Sequence, residues 1–354
     1  MPESNNHFTP TWTSYICTLG PASSNATTME GLIKEGANFL RNNFAHAQYD
    51  EYRSRKEELD RINKELGTNV WMQADLQGRN IRMQKFENEA GGVQLDEGQT
   101  YHFATAAGTP EPGDYIINDE TLHLDLKAGE PIIFADGLMD GIVDEVRGHR
   151  ITVTMKSSGF LKNRKSINVP MTALTGSSIT DKDKRDLKFL MEAGVDWVAL
   201  SFISTAAEIE EVRRMIGDRP IKIMAKIERR AALDNMQEII AASDAVMIAR
   251  GDLGIEIPLE DVPVYQRIIT EACQHAEVPV ITATQMLLSM AKSSRPTRAE
   301  VTDVAHAVFD RSDAVMLSEE TAEGVDPAHA LATMVKIAKR AEQYLGRRNN
   351  FFLS

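Results

Sequence analysis

Eight times along this chain a short β-branched or apolar run is followed by a helical pattern or by an interruption. That rhythm constrains the fold more than any other feature of the sequence. The first three runs are "SYICT" (14–18), "NFLRNNF" (38–44) and "NVWMQAD" (69–75), with "TTMEGLIKEG" and "YDEYRSRKEELDRINKELG" between them. Five more follow later: "DWVALSF", "IKIMAKIE", "DAVMIARGD", "PVITATQ" and "DAVMLSE", each ahead of a helical segment. Three strands and then five give the count of a closed (β/α)8 barrel, an α/β fold. An open doubly wound sheet is the alternative, disfavoured because no G-x-G-x-x-G follows the first strand.

The rhythm breaks between about residues 83 and 170. Segments such as "TYHFATAA", "PIIFADG" and "ITVTMKS" are short, alternating and rich in turn residues, which predicts a small β-rich unit set into the parent domain. The expected domains are a barrel over 1–82 and 171–354 and an inserted small β-barrel lid over 83–170.

Charge and cysteine content narrow the function. A formal net charge of −13 argues against a nucleic-acid or anionic-membrane binder, which needs a basic face. Any phosphate site must then be built locally. The polar start "MPESNNHFTP" lacks an apolar signal-peptide core, and no apolar run is long enough to span a bilayer. The two cysteines, Cys17 and Cys273, make no disulfide framework, so a reducing cytoplasm is expected.

In such a barrel the chemistry sits where the strands end. Those ends read "CTLGPAS", "RNNFAH", "ADLQGRNIR", "LSF", "AKIE", "ARGDLG", "TATQM" and "LSEET". Glu228 and Asp252 stand at neighbouring strand ends, and two carboxylates suit a hard divalent cation such as Mg²⁺. Lys226 lies two residues before Glu228 and so shares its face. Gly251 and Gly254 offer backbone N–H groups, and Arg41, Arg82 and Lys165 add local positive charge. The histidines show no metal-ligand spacing. The methionines read as core filler, and "RSRKEELDRINKEL" as a solvated helix face.

Together the stretches "ICTLGPAS", "KIMAKIE", "MIARGDLGIEIP", "ITATQML" and "SRPTRAEVTDVAHAVFDRSDAVMLSEETAEG" resemble the pyruvate kinases, from about Ile16 to Tyr344. The resemblance implies phosphoryl transfer from phosphoenolpyruvate to ADP, giving pyruvate and ATP, in the cytoplasm. It implies that Lys226 and Arg41 meet the transferring phosphoryl group, with Arg82 also catalytic. Glu228 and Asp252 would hold Mg²⁺ (or Mn²⁺). Gly251, Asp252, Thr284 and Ser201 would bind the substrate, and Thr284 and Ser318 would stand near the enolate. Thr18, Pro21, His46 and Lys165 fall on the nucleotide side, and the insertion would act as a lid.

Three departures from the family pattern stand out. The chain ends soon after the eighth helix, where most members continue into a third, effector-binding domain. A homodimer through the barrel and no activation by fructose 1,6-bisphosphate are therefore expected. The K⁺ site keeps Asn43 and Asp75, and Leu76 replaces a residue whose main-chain carbonyl contribution can survive the change, but Ala45 replaces a hydroxyl ligand and Asn80 a glutamate, so K⁺ dependence is doubtful. The neighbouring Arg79 is the expected fixed-charge substitute. Glu323 stands where many members carry a lysine. Two further readings stay open: a related Mg²⁺-dependent barrel enzyme (a lyase, or a kinase acting on another enol phosphate), and a non-catalytic paralogue.

Overall fold

The computed structural model describes residues 12–45, 48–86, 88 and 90–346. Eight parallel strands close into a barrel. They are β1 (Ser14–Thr18), β2 (Phe39–Asn43), β3 (Trp71–Leu76) and, after the insertion, β12 (Trp197–Leu200), β13 (Lys222–Ile227), β14 (Ala245–Ala249), β15 (Val280–Ala283) and β16 (Ala314–Leu317). Their order around the barrel follows the chain, with β16 closing onto β1 through Ser14↔Ala314 to Cys17↔Leu317.

Each strand is buried on both faces, so the sequence there is nearly continuous in apolar residues. Alternate residues nevertheless part company. Leu40, Met72, Val198, Ile223 and Val315 face the surrounding helices, while Phe39, Trp197, Met224, Met247, Ile281 and Met316 fill the barrel interior. Moving two residues at a time toward the strand ends, the interior-facing set turns polar: Phe39, Arg41, Asn43; Trp71, Gln73, Asp75; Trp197, Ala199, Ser201; Met224, Lys226, Glu228. The floor is apolar and the rim is charged.

Local signals fix the helices that ring the barrel. Thr180 accepts the Asp183 N–H while the Asp183 carboxylate takes the Thr180 N–H, a reciprocal cap on the helix Asp181–Ala193. Thr297 and Glu300 do the same for Arg298–Phe309. Gly78, after β3, has a φ of +66°, and a Cβ there would lie 2.3 Å from the Ser201 carbonyl oxygen. Only glycine lets this turn lie against the end of β12. No helix among the described residues is long and apolar enough to cross a membrane.

The insertion carries β4 (Gly92–Leu95), β5 (Thr100–Thr105), β6 (Tyr115–Ile117), β7 (Pro131–Phe134), β8 (Met139–Arg147), β9 (Arg150–Met155), β10 (Gly159–Lys162) and β11 (Ile167–Asn168). Six of these form a sheet in the order β11-β7-β8-β9-β5-β6, and β10 pairs with β4 in a ribbon. They enclose a core of their own around Phe103, Phe134, Ile151 and Leu161. The turn Ala135–Asp136–Gly137 has positive φ throughout and reaches back over the barrel rim, where Gly137 comes near Ile255.

Candidate active site

Four charged side chains form a continuous buried chain across the rim. Arg41 donates Nε to Asp75 Oδ2 at 2.9 Å, and its Nη2 lies 2.9 Å from the same oxygen. Its Nη1 donates to Thr18 Oγ1 at 2.9 Å, and Thr18 donates onward to the Leu317 carbonyl. Lys226 Nζ lies 3.5 Å from Asp75 Oδ2 and 2.6 Å from Glu228 Oε1, and it donates to Ser201 Oγ at 2.9 Å. Glu228 Oε2 accepts the Phe202 N–H at 2.8 Å. The second Glu228 oxygen is fully buried and makes only the ion contact to Lys226, without hydrogen-bond geometry.

Burial and neighbours tune these groups. Burial works against the Lys226 ammonium, but Glu228 and Asp75 outweigh it and hold its pKa above the ordinary lysine value. Burial likewise opposes the Asp75 charge, and Arg41 and Lys226 overcome it, so Asp75 titrates below the ordinary range. Glu228 is pushed up to about 7, first by burial and then by the Asp252 charge, despite Lys226. Asp252 is also raised, by burial and by Asp136.

Asp252 does not end the sixth barrel strand, as the sequence reading had it. The strand stops at Ala249, and Asp252 is the third residue of a short helix, Arg250–Glu256. Its carboxylate has no hydrogen-bond or ion-pair partner among the described residues. Two carboxylates, one of which raises the pKa of the other, each with an oxygen lacking a hydrogen-bond partner, are a donor set that fits a hard divalent cation. No cluster of three or more His, Cys, Asp or Glu converges among the described residues, so substrate and water oxygens would complete the shell.

Thr284 follows β15 with φ +68°, a costly conformation for a β-branched residue, of order 1–3 kcal/mol. Its hydroxyl donates to the Ala283 carbonyl at 2.6 Å, and two longer-range contacts hold it. Its hydroxyl accepts the Gly251 N–H at 2.8 Å, and its carbonyl accepts Arg250 Nη2 at 2.7 Å. Arg250 also makes a two-pronged pair with Asp303 at 2.6 and 2.7 Å. The sequence reading missed this role; its only signal was a charge closing an apolar run just before a glycine.

A cleft of about 1350 Å³ gathers Thr18, Pro21, Arg41, Asn43, Gly251, Asp252, Thr284 and Ser318, with Asp136 of the insertion on its far wall. A second cavity of about 190 Å³ at the base of the insertion takes in Arg82 and shares Asp136 and Asp252 with the first. Lys226, Glu228, Ser201 and Asp75 line neither cavity. Lys165 is half-exposed 3.3 Å from Asp136, and Arg82 bonds the Arg164 carbonyl at 3.0 Å; neither lines the large cleft. His46 lies outside the described residues. Gly254 lines neither cavity, and a Cβ there would lie 3.4 Å from Val262 and 3.5 Å from Leu259.

A second expectation is corrected as well. Arg79 does not supply charge beside Asn43 and Asp75, because its guanidinium is spent on Asp119, Thr121 and the Thr175 carbonyl in and beside the insertion. Asp75 instead takes Arg41 on one oxygen and the Gln73 amide, at 2.8 Å, on the other.

A closed parallel barrel whose rim gathers buried cations and carboxylates defines a class of protein: (β/α)8 barrels with a charged site on the face where the strands end. The family model of the pyruvate kinase barrel domain matches residues 11–331. The chain belongs to the pyruvate kinase family. It is 40% identical over 338 residues to pyruvate kinase 2 of Synechocystis sp., covering 94% of this chain and 57% of that one. It is 40% identical to the pyruvate kinases of Clostridium perfringens and Geobacillus stearothermophilus, over 94% and 95% of this chain and 71% and 58% of theirs. The chain thus spans little more than half the length of two of these three relatives. A crystal structure of a pyruvate kinase from Cryptosporidium parvum superposes with a TM-score of 0.90 at 35% identity, covering 97% of this chain and 71% of that one.

Proposed function

We propose that this chain transfers the phosphoryl group of phosphoenolpyruvate to ADP, giving pyruvate and ATP, the glycolytic reaction of its family. The observation that carries the reading is the buried chain Arg41–Asp75–Lys226–Glu228, with Asp252 beside it. Phosphoryl transfer asks for positioning and charge neutralisation more than for covalent chemistry by the protein.

Arg41 and Lys226 present fixed positive charge to the phosphoryl oxygens, and Asp75 locks both in place. When the enol oxygen–phosphorus bond breaks, an enolate is left, and the Lys226 ammonium stabilises it. The phosphorus bonds to a β-phosphate oxygen of ADP, and the methylene carbon takes a proton on its way to pyruvate. Thr284 and Ser318, at adjacent strand ends on the same cleft, are placed to hold the water that delivers it. Gly251, Asp252 and Thr284 would receive the substrate carboxylate, which would replace the Gly251–Thr284 bond. Pro21 and Thr18 flank the side assigned to the nucleotide, with Lys165 reaching from the insertion. Mg²⁺ or Mn²⁺ held by Glu228 and Asp252 would neutralise charge on the transferring group.

We also propose a weak or absent K⁺ requirement. Asn43 Oδ1 already accepts the Ala45 N–H at 3.1 Å, and both Asp75 oxygens are engaged, so these residues do not fit a monovalent cation as they stand. Rates in a quaternary-ammonium buffer with and without KCl test this; a large saturable rise refutes it. A homodimer through the barrel and a cytoplasmic location complete the proposal. Exposed Val264 and Ile268, one turn apart on helix Val262–His275, support the first, and the two free buried cysteines the second. Light scattering checks the assembly.

The principal test is a coupled assay for pyruvate with phosphoenolpyruvate, ADP and Mg²⁺. Turnover that needs all three supports the reading. Cleavage of phosphoenolpyruvate without ADP, or none at all, overturns it.

A further inference from the structure

The turn after β3 carries a cation that the rim chemistry does not use. Arg79, 11% exposed at its side chain, donates Nε to Asp119 Oδ2 at 2.7 Å and Nη2 to Asp119 Oδ1 at 2.9 Å. The same Nη2 donates to Thr121 Oγ1 at 2.8 Å, and Nη1 donates to the Thr175 carbonyl at 2.7 Å. Asp125 Oδ2, on a side chain only 1% exposed, lies 3.7 Å from Nη2. Asp119 and Asp125 hold the surrounding backbone in turn. Asp119 accepts the N–H groups of Thr121 and Leu122, and Asp125 takes both the N–H and the hydroxyl of Thr175.

These partners come from three separate lengths of chain. Arg79 sits where the backbone leaves the barrel. Asp119, Thr121 and Asp125 belong to the body of the insertion. Thr175 lies on the stretch that returns to the barrel. The Arg79 carbonyl accepts Arg229 Nη2 at 2.9 Å, and Arg229 directly follows Glu228. The guanidinium therefore joins both connections of the insertion to its body, while the Arg79 backbone carbonyl ties the same turn to the loop of the candidate metal ligand.

We propose that Arg79 is a positioning residue: it fixes the angle at which the inserted unit stands over the barrel rim. It thereby sets where Asp136 and Lys165 meet the nucleotide, an inference that rests on the phosphotransfer reading. An insertion joined by two connections is free to pivot about them. A planar guanidinium with directional bonds to both connections resists that rotation, where a point charge would not. The two carboxylates are buried, so swinging the unit away removes their counter-ion before water reaches them. A second, weaker tie lies on the other side, where Asn168 Nδ2 donates to Glu256 Oε1 at 2.9 Å.

The test measures position and kinetics separately. Spin labels go on Leu138→Cys in the insertion and Val325→Cys on the barrel, sites 76% and 68% exposed; the native Cys17 and Cys273 are buried. The parental chain is expected to give one narrow distance distribution. Arg79→Ala broadens it, and Arg79→Lys gives an intermediate result. Asp119→Asn, which keeps an oxygen for the Thr121 and Leu122 N–H groups, broadens it while folding normally. In steady-state assays Arg79→Ala raises KM for ADP about tenfold and leaves KM for phosphoenolpyruvate within twofold, because the latter binds on the barrel. An unchanged narrow distribution in Arg79→Ala and Asp119→Asn overturns the inference, as does an equal rise in both KM values. If the parental chain forms no pyruvate, the functional reading falls, and the distance distributions alone decide the clamp.

Discussion

Replacing Arg250 by methionine removes a group that makes no contact with the reacting atoms yet holds two of the strand ends that do. The side chain is 12% exposed and its partner Asp303 is 33% exposed. Truncating one member of a fully buried pair costs about 3–5 kcal/mol. Asp303 regains some water, so the pair is worth roughly 2–3 kcal/mol here. The Ala283 and Thr284 carbonyls lose donors at 3.2 and 2.7 Å. At about 1 kcal/mol for each, less what methionine recovers by packing, the total is about 3–4 kcal/mol. With an unfolding entropy of about 2.1 cal/mol/K per residue, a chain of 354 residues loses about 4–5 °C in Tm. The function should suffer beyond the stability loss. Without the bond to its carbonyl, Thr284 relaxes from its positive φ and pulls its hydroxyl off Gly251, so KM for phosphoenolpyruvate rises. Calorimetric melting and steady-state kinetics at a temperature where both proteins are folded make the comparison. A Tm within 1 °C of the parent, or an unchanged KM, refutes the reasoning.

Lys226→Met should keep the fold but lower kcat by two to three orders of magnitude, the effect of losing about 3–4 kcal/mol of charge stabilisation in a water-excluded site; near-parental turnover in a rapid-quench assay would contradict the role. Gly78→Ala should destabilise by about 3 kcal/mol or more, since it adds left-handed strain to a 2.3 Å clash with the Ser201 carbonyl; a denaturant midpoint equal to the parent's would sink the argument. In the insertion, burial and then the neighbouring His149 hold the pKa of His123 below its ordinary 6.5, although Asp119 and Asp125 pull the other way. His123 and His149 both point Nδ1 at the Thr105 hydroxyl. The folded chain thus binds this proton less well than the unfolded one, so stability is full above pH 6.5 and falls as pH drops through the lower folded value. Melting between pH 7.5 and 5.5 should show that slope, and His123→Gln should flatten it; an equal slope in the variant assigns the effect elsewhere.

The barrel was legible because its signal is local and repeated. Interior-facing residues such as Phe39, Arg41 and Asn43 follow the two-residue period of a strand, so both the closed sheet and its charged rim are present in the order of letters. The grouping of Lys226 with Glu228 followed from the same period. The helix at Arg250–Glu256 was not legible, because its N-cap, Ala249, has no capping side chain to announce it. Asp75 read as a cation ligand. Its pairing with Arg41 depends on how far β2 slides along β3, which spacing within one strand does not reveal. Arg79 was placed on the wrong side of its loop for a similar reason: its partners lie 40 to 96 residues away, and only the docked insertion brings them to it.

The central claim, that phosphorus moves from phosphoenolpyruvate to ADP over Lys226, Arg41 and the Glu228–Asp252 pair, is tested most directly by ³¹P NMR of the purified chain with both substrates. The predicted result is loss of the phosphoenolpyruvate signal matched one for one by the γ-phosphate of ATP. It should depend on Mg²⁺, persist without K⁺ and vanish in Lys226→Met. Growth of inorganic phosphate in place of ATP, or transfer that survives loss of Lys226, would contradict the account.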